Sequence, residues 1–178
     1  ACLTIPQHTW GHHAGEWARA SRKDWRDLVD HLAHTVSRGG NLLLNVGPRG
    51  DGSFDPDDLA VTARVGDWVE RHAAAIRGAD AEPRLEPPGW GYYTHGADGR
   101  SHAVITRTPT SRRVRLEAPA GLRLDDVRIE VAAEVVRLTD GLVELRLAAV
   151  PQEPIVASFS LGEAAPRRRA EVNPDVVD

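Results

Sequence analysis

A short apolar run between two groups of glycines constrains the fold of this chain more than any other feature. Residues 39–48 read G-G-N-L-L-L-N-V-G-P, and a glycine-rich segment continues as far as Gly52. Runs of about four to eight apolar residues between turn formers are typical of strands buried on both faces. Such strands belong to parallel sheets covered by helices. The run therefore predicts one strand of an α/β sheet, followed by a loop.

Helical patterns lie on both sides of this strand. Before it, the apolar residues in 24–37 share one face at helical spacing, with Ser21 as a candidate N-cap: Trp25, Leu28, Val29, Leu32 and Val36. After it, Asp55 is a candidate N-cap and Pro56 suits the first helical position. The buried side of this second helix is expected to carry Leu59, Val65, Trp68, Val69 and Ile76. A short strand at residues 2–5 completes the order strand, helix, strand, helix.

The pattern changes beyond a proline-rich segment. Residues 79–89 contain three prolines and alternating charges, as interdomain linkers do. Short alternating runs follow, separated by turn signals such as Asp98-Gly99 and Asp140-Gly141. They fall at residues 102–107, 114–117, 127–131, 135–138, 142–147 and 155–161. This spacing predicts an antiparallel β-sandwich. Residues 162–178 show no periodicity, and we expect them to form a disordered tail.

Composition excludes several classes of protein. A net charge of −4 over 178 residues gives no reason to expect a nucleic-acid or membrane partner. No stretch approaches the roughly 18 apolar residues of a membrane span. The single cysteine, Cys2, excludes an internal disulfide. The chain has no methionine, even at position 1, so we expect it to be the carboxyl-terminal piece of a longer protein.

Three segments share their residues and their order with one enzyme family. Residues 39–52 read G-G-N-L-L-L-N-V-G-P-x-x-D-G, residues 2–11 read C-L-T-I-P-Q-H-T-W-G, and residues 66–78 contain G-D-W-V followed by A-I-R-G. They resemble, in turn, the late-barrel signature, the Cys-x-Thr-Ile…Ser/Thr-Trp-Gly segment and the Gly-x-Trp-Leu…Glu-Ala-Ile-Tyr-Gly segment of α-L-fucosidases. These enzymes are retaining glycoside hydrolases that release terminal fucose.

The resemblance implies a fold and an activity. Residues 1–78 would be the last βα units of a (β/α)8-like barrel, residues 79–89 a linker, and residues 90–161 the β-sandwich. The implied reaction is hydrolysis of terminal α-L-fucosides in a fucosylated glycan, with retention of configuration and no metal or organic cofactor. Retention needs two carboxyl groups about 5–5.5 Å apart. The family's nucleophile is an aspartate on a mid-barrel strand without a counterpart here, so we expect no catalytic residue in this chain and no activity from it alone.

Two residues are candidates for substrate binding. Trp10 follows the first strand, and a sugar's C–H face packs well against an aromatic ring. The resemblance implies that this tryptophan approaches the methyl group of fucose; the alternative is a loop anchor under the barrel rim. Asn45 is polar in an apolar strand and needs a partner if it is buried. It would either orient the catalytic layer or make a structural hydrogen bond.

A metal site is not indicated. His12 and His13 are adjacent and rarely point the same way, and no cysteine or carboxylate lies at zinc spacing from them or from His8. We expect surface or loop positions for these histidines and for His31 and His34.

A second function, from another class, is a non-catalytic carbohydrate-binding or interaction β-sandwich. In it, Trp90, Tyr92 and Tyr93 would form a sugar platform instead of sealing the junction between the two domains.

Incomplete barrel units are also expected to be unstable by themselves. Two βα units cannot close a barrel, and their strands would leave unpaired edges. The sandwich has enough strands to enclose a core. The sequence therefore predicts that residues 88–161 form the stable unit and that residues 1–78 are loosely held.

Overall fold

A helical part and a sheet part follow one another along the chain. The computed structural model describes residues 1–6, 9–16 and 20–164. The helical part contains β1 (Cys2–Thr4), α1 (Trp25–Val36), β2 (Leu43–Asn45), α2 (Pro56–Arg71) and α3 (Ala73–Ile76). The sheet part contains β3 (Asp80–Ala81), β4 (Gly91–His95), β5 (Ser101–Ile105), β6 (Arg113–Glu117), β7 (Leu122–Ile129), β8 (Ala133–Thr139), β9 (Leu142–Leu147) and β10 (Ile155–Glu163).

Both long helices begin at an aspartate. The Asp24 carboxylate accepts a hydrogen bond from the Arg26 amide at 2.8 Å, so Asp24 caps α1 and the prediction of Ser21 was wrong. Asp55 caps α2 by accepting from the Asp57 amide at 3.0 Å, as predicted. Among the described residues, no helix combines the length and the apolar character needed to cross a membrane.

Strands β1 and β2 form a parallel pair. Their register sets Cys2 opposite Leu43 and Thr4 opposite Asn45. The prediction that β2 is buried on both faces was wrong for the described chain, because this sheet has two strands. The side chain of Leu43 is consequently exposed, with 64% of its surface accessible.

The remaining strands form two antiparallel sheets that enclose a common core. Their orders are β3-β4-β5-β10-β7 and β6-β9-β8. Residues from both sheets pack together, including Tyr93 and Phe159 from the larger sheet and Leu116 and Leu145 from the smaller one. The predicted β-sandwich is therefore confirmed. The predicted turn at Asp140-Gly141 joins β8 to β9, which pair with each other.

The strands extend beyond the predicted sandwich at both ends. Strand β3 falls within the predicted linker and pairs with β4. Strand β10 continues to Glu163, so the predicted tail begins too early at residue 162. Residues 165–178, the rest of that prediction, lie outside the described residues. The division of the chain into domains stays a prediction.

The helices pack on the outer face of the larger sheet. The shared apolar cluster includes Val29 of α1, Trp68 of α2, Tyr92 of β4 and Val104 of β5. Trp68 is fully buried, and its indole Nε1 donates to the Pro154 carbonyl at 2.8 Å. The sheet therefore covers the apolar faces of the helices, while the expectation that the helical part is loosely held stays a prediction. Leu59 does not belong to the buried side, since half of its surface is exposed.

A polar cluster closes the rim of the same junction. The Asp30 carboxylate on α1 accepts hydrogen bonds from the Tyr92 hydroxyl at 3.1 Å, from Arg107 Nη1 at 2.6 Å and from the Thr106 hydroxyl. The His34 ring meets the Tyr92 ring edge-on, with centroids 5.5 Å apart. Tyr92 therefore joins α1 to the sheet.

We expect Trp68→Ala to destabilise the whole chain. The substitution removes a fully buried side chain and its hydrogen bond to Pro154, at a cost of about 3–5 kcal/mol in the free energy of unfolding. Trp10→Ala is the matched control, since Trp10 is 63% exposed and should change that free energy by no more than about 0.5 kcal/mol. Urea unfolding curves measure both values. Equal losses for the two variants would show that Trp68 does not hold the helices on the sheet.

Candidate functional site

The candidate site lies at the carboxyl ends of β1 and β2. Because the two strands are parallel, the loops that follow them leave the sheet at the same edge. The Ile5 amide donates to the Asn45 carbonyl at 3.4 Å and extends the pairing beyond the last residue of β1. In barrels of parallel strands, the loops at this edge carry the substrate-binding residues.

A hydrogen bond joins the two predicted site residues. The Asn45 side-chain nitrogen Nδ2 donates to the backbone carbonyl of Trp10 at 2.7 Å. Asn45 is half-buried, so the bond gives a polar side chain in an apolar strand a partner. The contact is made to the backbone of the Trp10 loop and leaves the indole ring unconstrained by Asn45.

A close approach of the two backbones fixes the same pair of loops. A Cβ atom on Gly47 would lie 2.6 Å from both the carbonyl carbon of Gly11 and the amide nitrogen of His12. Real Cβ atoms do not approach backbone atoms so closely, and only glycine fits. Gly47 thereby allows the loop after β2 to lie directly against the loop that carries Trp10.

The Trp10 ring is on the surface, with 63% of the residue exposed. Beside it, the Thr9 hydroxyl donates to the Gly11 carbonyl at 3.1 Å, which helps to order the turn. An exposed aromatic ring offers an apolar face to a ligand. Its role in substrate binding stays a prediction.

An arginine inside a group of aspartates holds the end of the segment between β1 and α1 against α2. Arg22 contacts Asp58 at 2.5 Å, Asp57 at 3.0 Å and Asp55 at 3.1 Å. The hydrogen bond from the Asp57 amide, together with the charges of Arg22 and Arg49, lowers the pKa of Asp55 despite its burial. The aspartates at the start of α2 therefore have structural partners.

Lys23, next to this group, fastens the same segment to β1. Its amide donates to the Ile5 carbonyl at 3.0 Å, and its ammonium donates to the Thr4 carbonyl at 2.7 Å. Burial lowers the pKa of the Lys23 ammonium. The segment between β1 and α1 is thus held both where it leaves β1 and where it approaches α1.

The carboxylates with resolved pKa shifts at this edge are unsuited to act as the general acid of a glycosidase. Such an acid needs a raised pKa to keep its proton near neutral pH. Hydrogen bonds from the Ser53 hydroxyl and amide lower the pKa of Asp51, and the pKa of Asp55 is lowered as well. Both are therefore ionised at neutral pH and serve as hydrogen-bond acceptors.

The histidines take varied positions. His31 and His34 are exposed and His12 is half-buried; partial desolvation, together with the charge of Arg38, lowers the pKa of His34. His8 lies outside the described residues. In the part of the chain that the structure describes, no group of three or more histidine, cysteine, aspartate or glutamate side chains could hold a metal ion.

Sequence reasoning missed Gly47 and Arg22 as organisers of this edge. The glycine-rich segment after the strand predicts only a loop, which gives no sign that Gly47 must admit another loop beside it. Arg22 lies in a polar segment that lacks periodicity. The clustering of Asp55, Asp57 and Asp58 at a helix start was the available signal, since three carboxylates within four residues favour a nearby cation.

Comparisons with known proteins agree with the motifs. A family model described as alpha-L-fucosidase matches residues 1–74. The α-L-fucosidase of Branchiostoma floridae is 41% identical over 121 residues, which is 66% of this chain and 26% of that protein. The plasma α-L-fucosidase of Homo sapiens is 28% identical over 128 residues, or 68% of this chain and 26% of that protein. The chain thus spans about a quarter of the length of these relatives.

Solved structures extend the likeness into the sandwich. A GH29 α-L-fucosidase from Bacteroides thetaiotaomicron aligns with a TM-score of 0.79 at 29% identity, covering 90% of this chain and 37% of its own. A bacterial fucosidase crystallised with a monovalent iminocyclitol inhibitor has a TM-score of 0.80 at 29% identity, covering 92% of this chain and 38% of its own. The resemblance drawn from the motifs is confirmed: residues 1–74 belong to the α-L-fucosidase family.

Proposed function

We propose that this chain is the part of an α-L-fucosidase that ends the catalytic barrel and forms the following β-sandwich. The intact protein would hydrolyse terminal α-L-fucosides in glycans with retention of configuration. The observation that carries this proposal is the parallel pair β1–β2, whose following loops meet at one edge through Asn45 and the carbonyl of Trp10. The domain limits that go with it are residues 1–78, 79–89 and 90–161.

The proposal accounts for the unusual exposure of the first sheet. An isolated pair of parallel strands buries little surface, and parallel sheets are ordinarily covered on both faces. Leu43 is 64% exposed on β2, and Phe54 in the following loop is 40% exposed. Further parallel strands would pair with the open edges and cover such side chains, as closure of a barrel requires.

Trp10 would form an apolar wall of the fucose pocket. Fucose carries a methyl group at C5, and a pocket that selects it needs an apolar surface at that point. The exposed indole supplies such a surface and would help to exclude water from the reacting centre. Asn45 and Gly47 would act as positioning residues, because they hold the loop of Trp10 against the neighbouring loop.

The chemistry itself would come from carboxylates elsewhere in the barrel. Retention proceeds through two displacements: a carboxylate attacks the anomeric carbon while an acid protonates the leaving oxygen, and water then releases the sugar from the covalent intermediate. In the α-L-fucosidase family, which this chain resembles, the nucleophile is an aspartate on a mid-barrel strand. Asp51 and Asp55 are bound to local partners and do not compete for either role.

We expect the 178-residue chain to have no fucosidase activity by itself. Without the nucleophile it lacks the group that forms the covalent intermediate, and loss of such a group costs several orders of magnitude in rate. Release of an aryl alcohol from an aryl α-L-fucoside measures the activity, with a full-length α-L-fucosidase as the positive control. The expectation is wrong if the purified chain shows turnover and a point substitution within residues 1–164 abolishes it. Such a result would place the catalytic groups in this chain.

In the full-length protein we expect Trp10→Ala to lower kcat/KM by roughly 10- to 150-fold. Loss of a well-packed apolar contact costs about 1.5–3 kcal/mol, and each 1.36 kcal/mol corresponds to about tenfold in rate. Trp10→Phe keeps an aromatic face and should retain most of the activity. The Tm of both variants should stay near that of the parent, because the ring is exposed.

Near-normal kcat/KM in Trp10→Ala, or a loss of activity that only follows a loss of Tm, would contradict the sugar contact. Either result would assign Trp10 a structural role in the loop instead.

A further inference from the structure

A cleft opens in the sandwich between the segment before β4 and the edge strand β6. Its volume is about 520 Å³, within the roughly 300–1,000 Å³ of small-molecule sites. Residues 86–90 form one wall, and β6 forms the other with Arg113, Arg115 and Glu117. Strand β6 lies in the smaller sheet, so the cleft is on the opposite side of the larger sheet from the helices.

Aromatic rings form a rigid base for this cleft. The indole Nε1 of Trp90 donates to the Arg115 carbonyl on the open edge of β6 at 3.1 Å. The rings of Trp90 and Tyr93 meet edge-to-face with centroids 5.4 Å apart, and burial raises the pKa of the Tyr93 phenol. Trp90 is half-buried, so the ring is fixed by its hydrogen bond and still lines the cleft.

Two arginines on the opposite wall are held by one buried carboxylate. Arg113 and Arg115 are each 58% exposed at the side chain, and each contacts the Glu144 carboxylate at 3.3 Å. The Glu144 side chain is 2% exposed, and Arg146 contacts it at 2.8 Å from the same strand. A guanidinium has five N–H donors, and each of the two contacts uses one nitrogen. The arginines are thus oriented while keeping donors for a ligand.

The charges around the cleft favour a neutral ligand. The exposed Arg113 and Arg115 face the exposed carboxylates of Glu86 and Glu117, and the buried Glu144 also pairs with Arg146. These charges balance, so a polyanion such as nucleic acid or a sulfated chain would gain no net attraction. A neutral sugar suits the same groups, because its hydroxyls both accept from guanidinium and donate to carboxylate while its C–H face packs on an indole.

We propose that the cleft between Trp90 and Arg115 binds a neutral sugar residue of a glycan chain. The sandwich would thereby add a binding function to the proposed hydrolysis. This proposal rests on the proposed function only in expecting a glycan as the partner. Binding is measured without turnover, so it can fail or succeed independently of the proposed fucosidase activity.

NMR titration of the 178-residue chain tests the proposal. The indole N–H signal of Trp90, identified by its loss in Trp90→Phe, is the local reporter. The probes are 2′-fucosyllactose and lactose, with the anionic trisaccharide 3′-sialyllactose for comparison. We expect the neutral probes to shift the Trp90 signal, and Arg115→Ala to weaken that binding about tenfold, the loss of one charged hydrogen bond. Arg128→Ala is the matched control, since this arginine is 70% exposed on another strand and pairs with Asp126; it should bind as the parent does.

Three outcomes would overturn the proposal. The first is no shift of the Trp90 signal with either neutral probe up to about 50 mM, a concentration that reveals even a millimolar Kd. The second is binding that Arg115→Ala and Arg113→Ala leave unchanged while both variants keep the parent spectrum elsewhere. The third is tighter binding of 3′-sialyllactose than of the neutral probes, which would contradict the argument from charge.

Discussion

Burial of Trp68 between α2 and the outer face of the larger sheet is the interaction on which the rest of the structure depends. The side chain is fully buried, and its only polar atom donates to the Pro154 carbonyl just before β10. Around it, the apolar faces of both long helices meet Tyr92 and Val104 of the sheet. About 25 cal/mol is gained for each Å² of apolar surface removed from water, so such a layer ties the helices to the sandwich more firmly than any exposed ion pair does.

This packing positions the candidate site indirectly. Helix α2 is fixed on the sheet by Trp68, and its first turn holds Arg22 through Asp55 and Asp58. Arg22 and Lys23 then fasten the segment that follows the Trp10 loop to the end of β1. The sandwich is distant from Trp10 in sequence, but it therefore helps to position the carboxyl ends of β1 and β2. Barrel enzymes bind their substrates at such strand ends.

Much of this arrangement follows from local sequence patterns. The apolar run at residues 42–46, the cap at Asp55 and the hairpin at Asp140-Gly141 each depend on neighbours in the sequence, and each was predicted. The contact of Asn45 with the Trp10 loop was anticipated only as a need for some partner, because a pattern cannot tell which loop arrives beside it.

The packing of the helices on the larger sheet could not be predicted from the sequence, for a physical reason. Strands covered on one face alternate in burial, and the sequence was interpreted as a sandwich of that kind. Every residue of β5 is buried, since the helices cover its outer face with their own apolar stripes. The apolar stripes on α1 and α2 predict amphipathic helices, but no local pattern indicates that they also pack on a sheet that begins after residue 79. Leu59 was misplaced for the same reason, because the orientation of α2 depends on that sheet.

Native-state amide exchange tests most directly whether the helices and the sandwich form one cooperative unit. Amides in the middle of α2, around Trp68, and amides in β5, around Val104, should open with the same free energy and respond equally to low concentrations of urea, because they share one buried cluster. If the α2 amides exchange through an opening of much lower free energy while β5 stays protected, the helices are a separate and weaker unit. The sandwich could then not be what holds the candidate site in place.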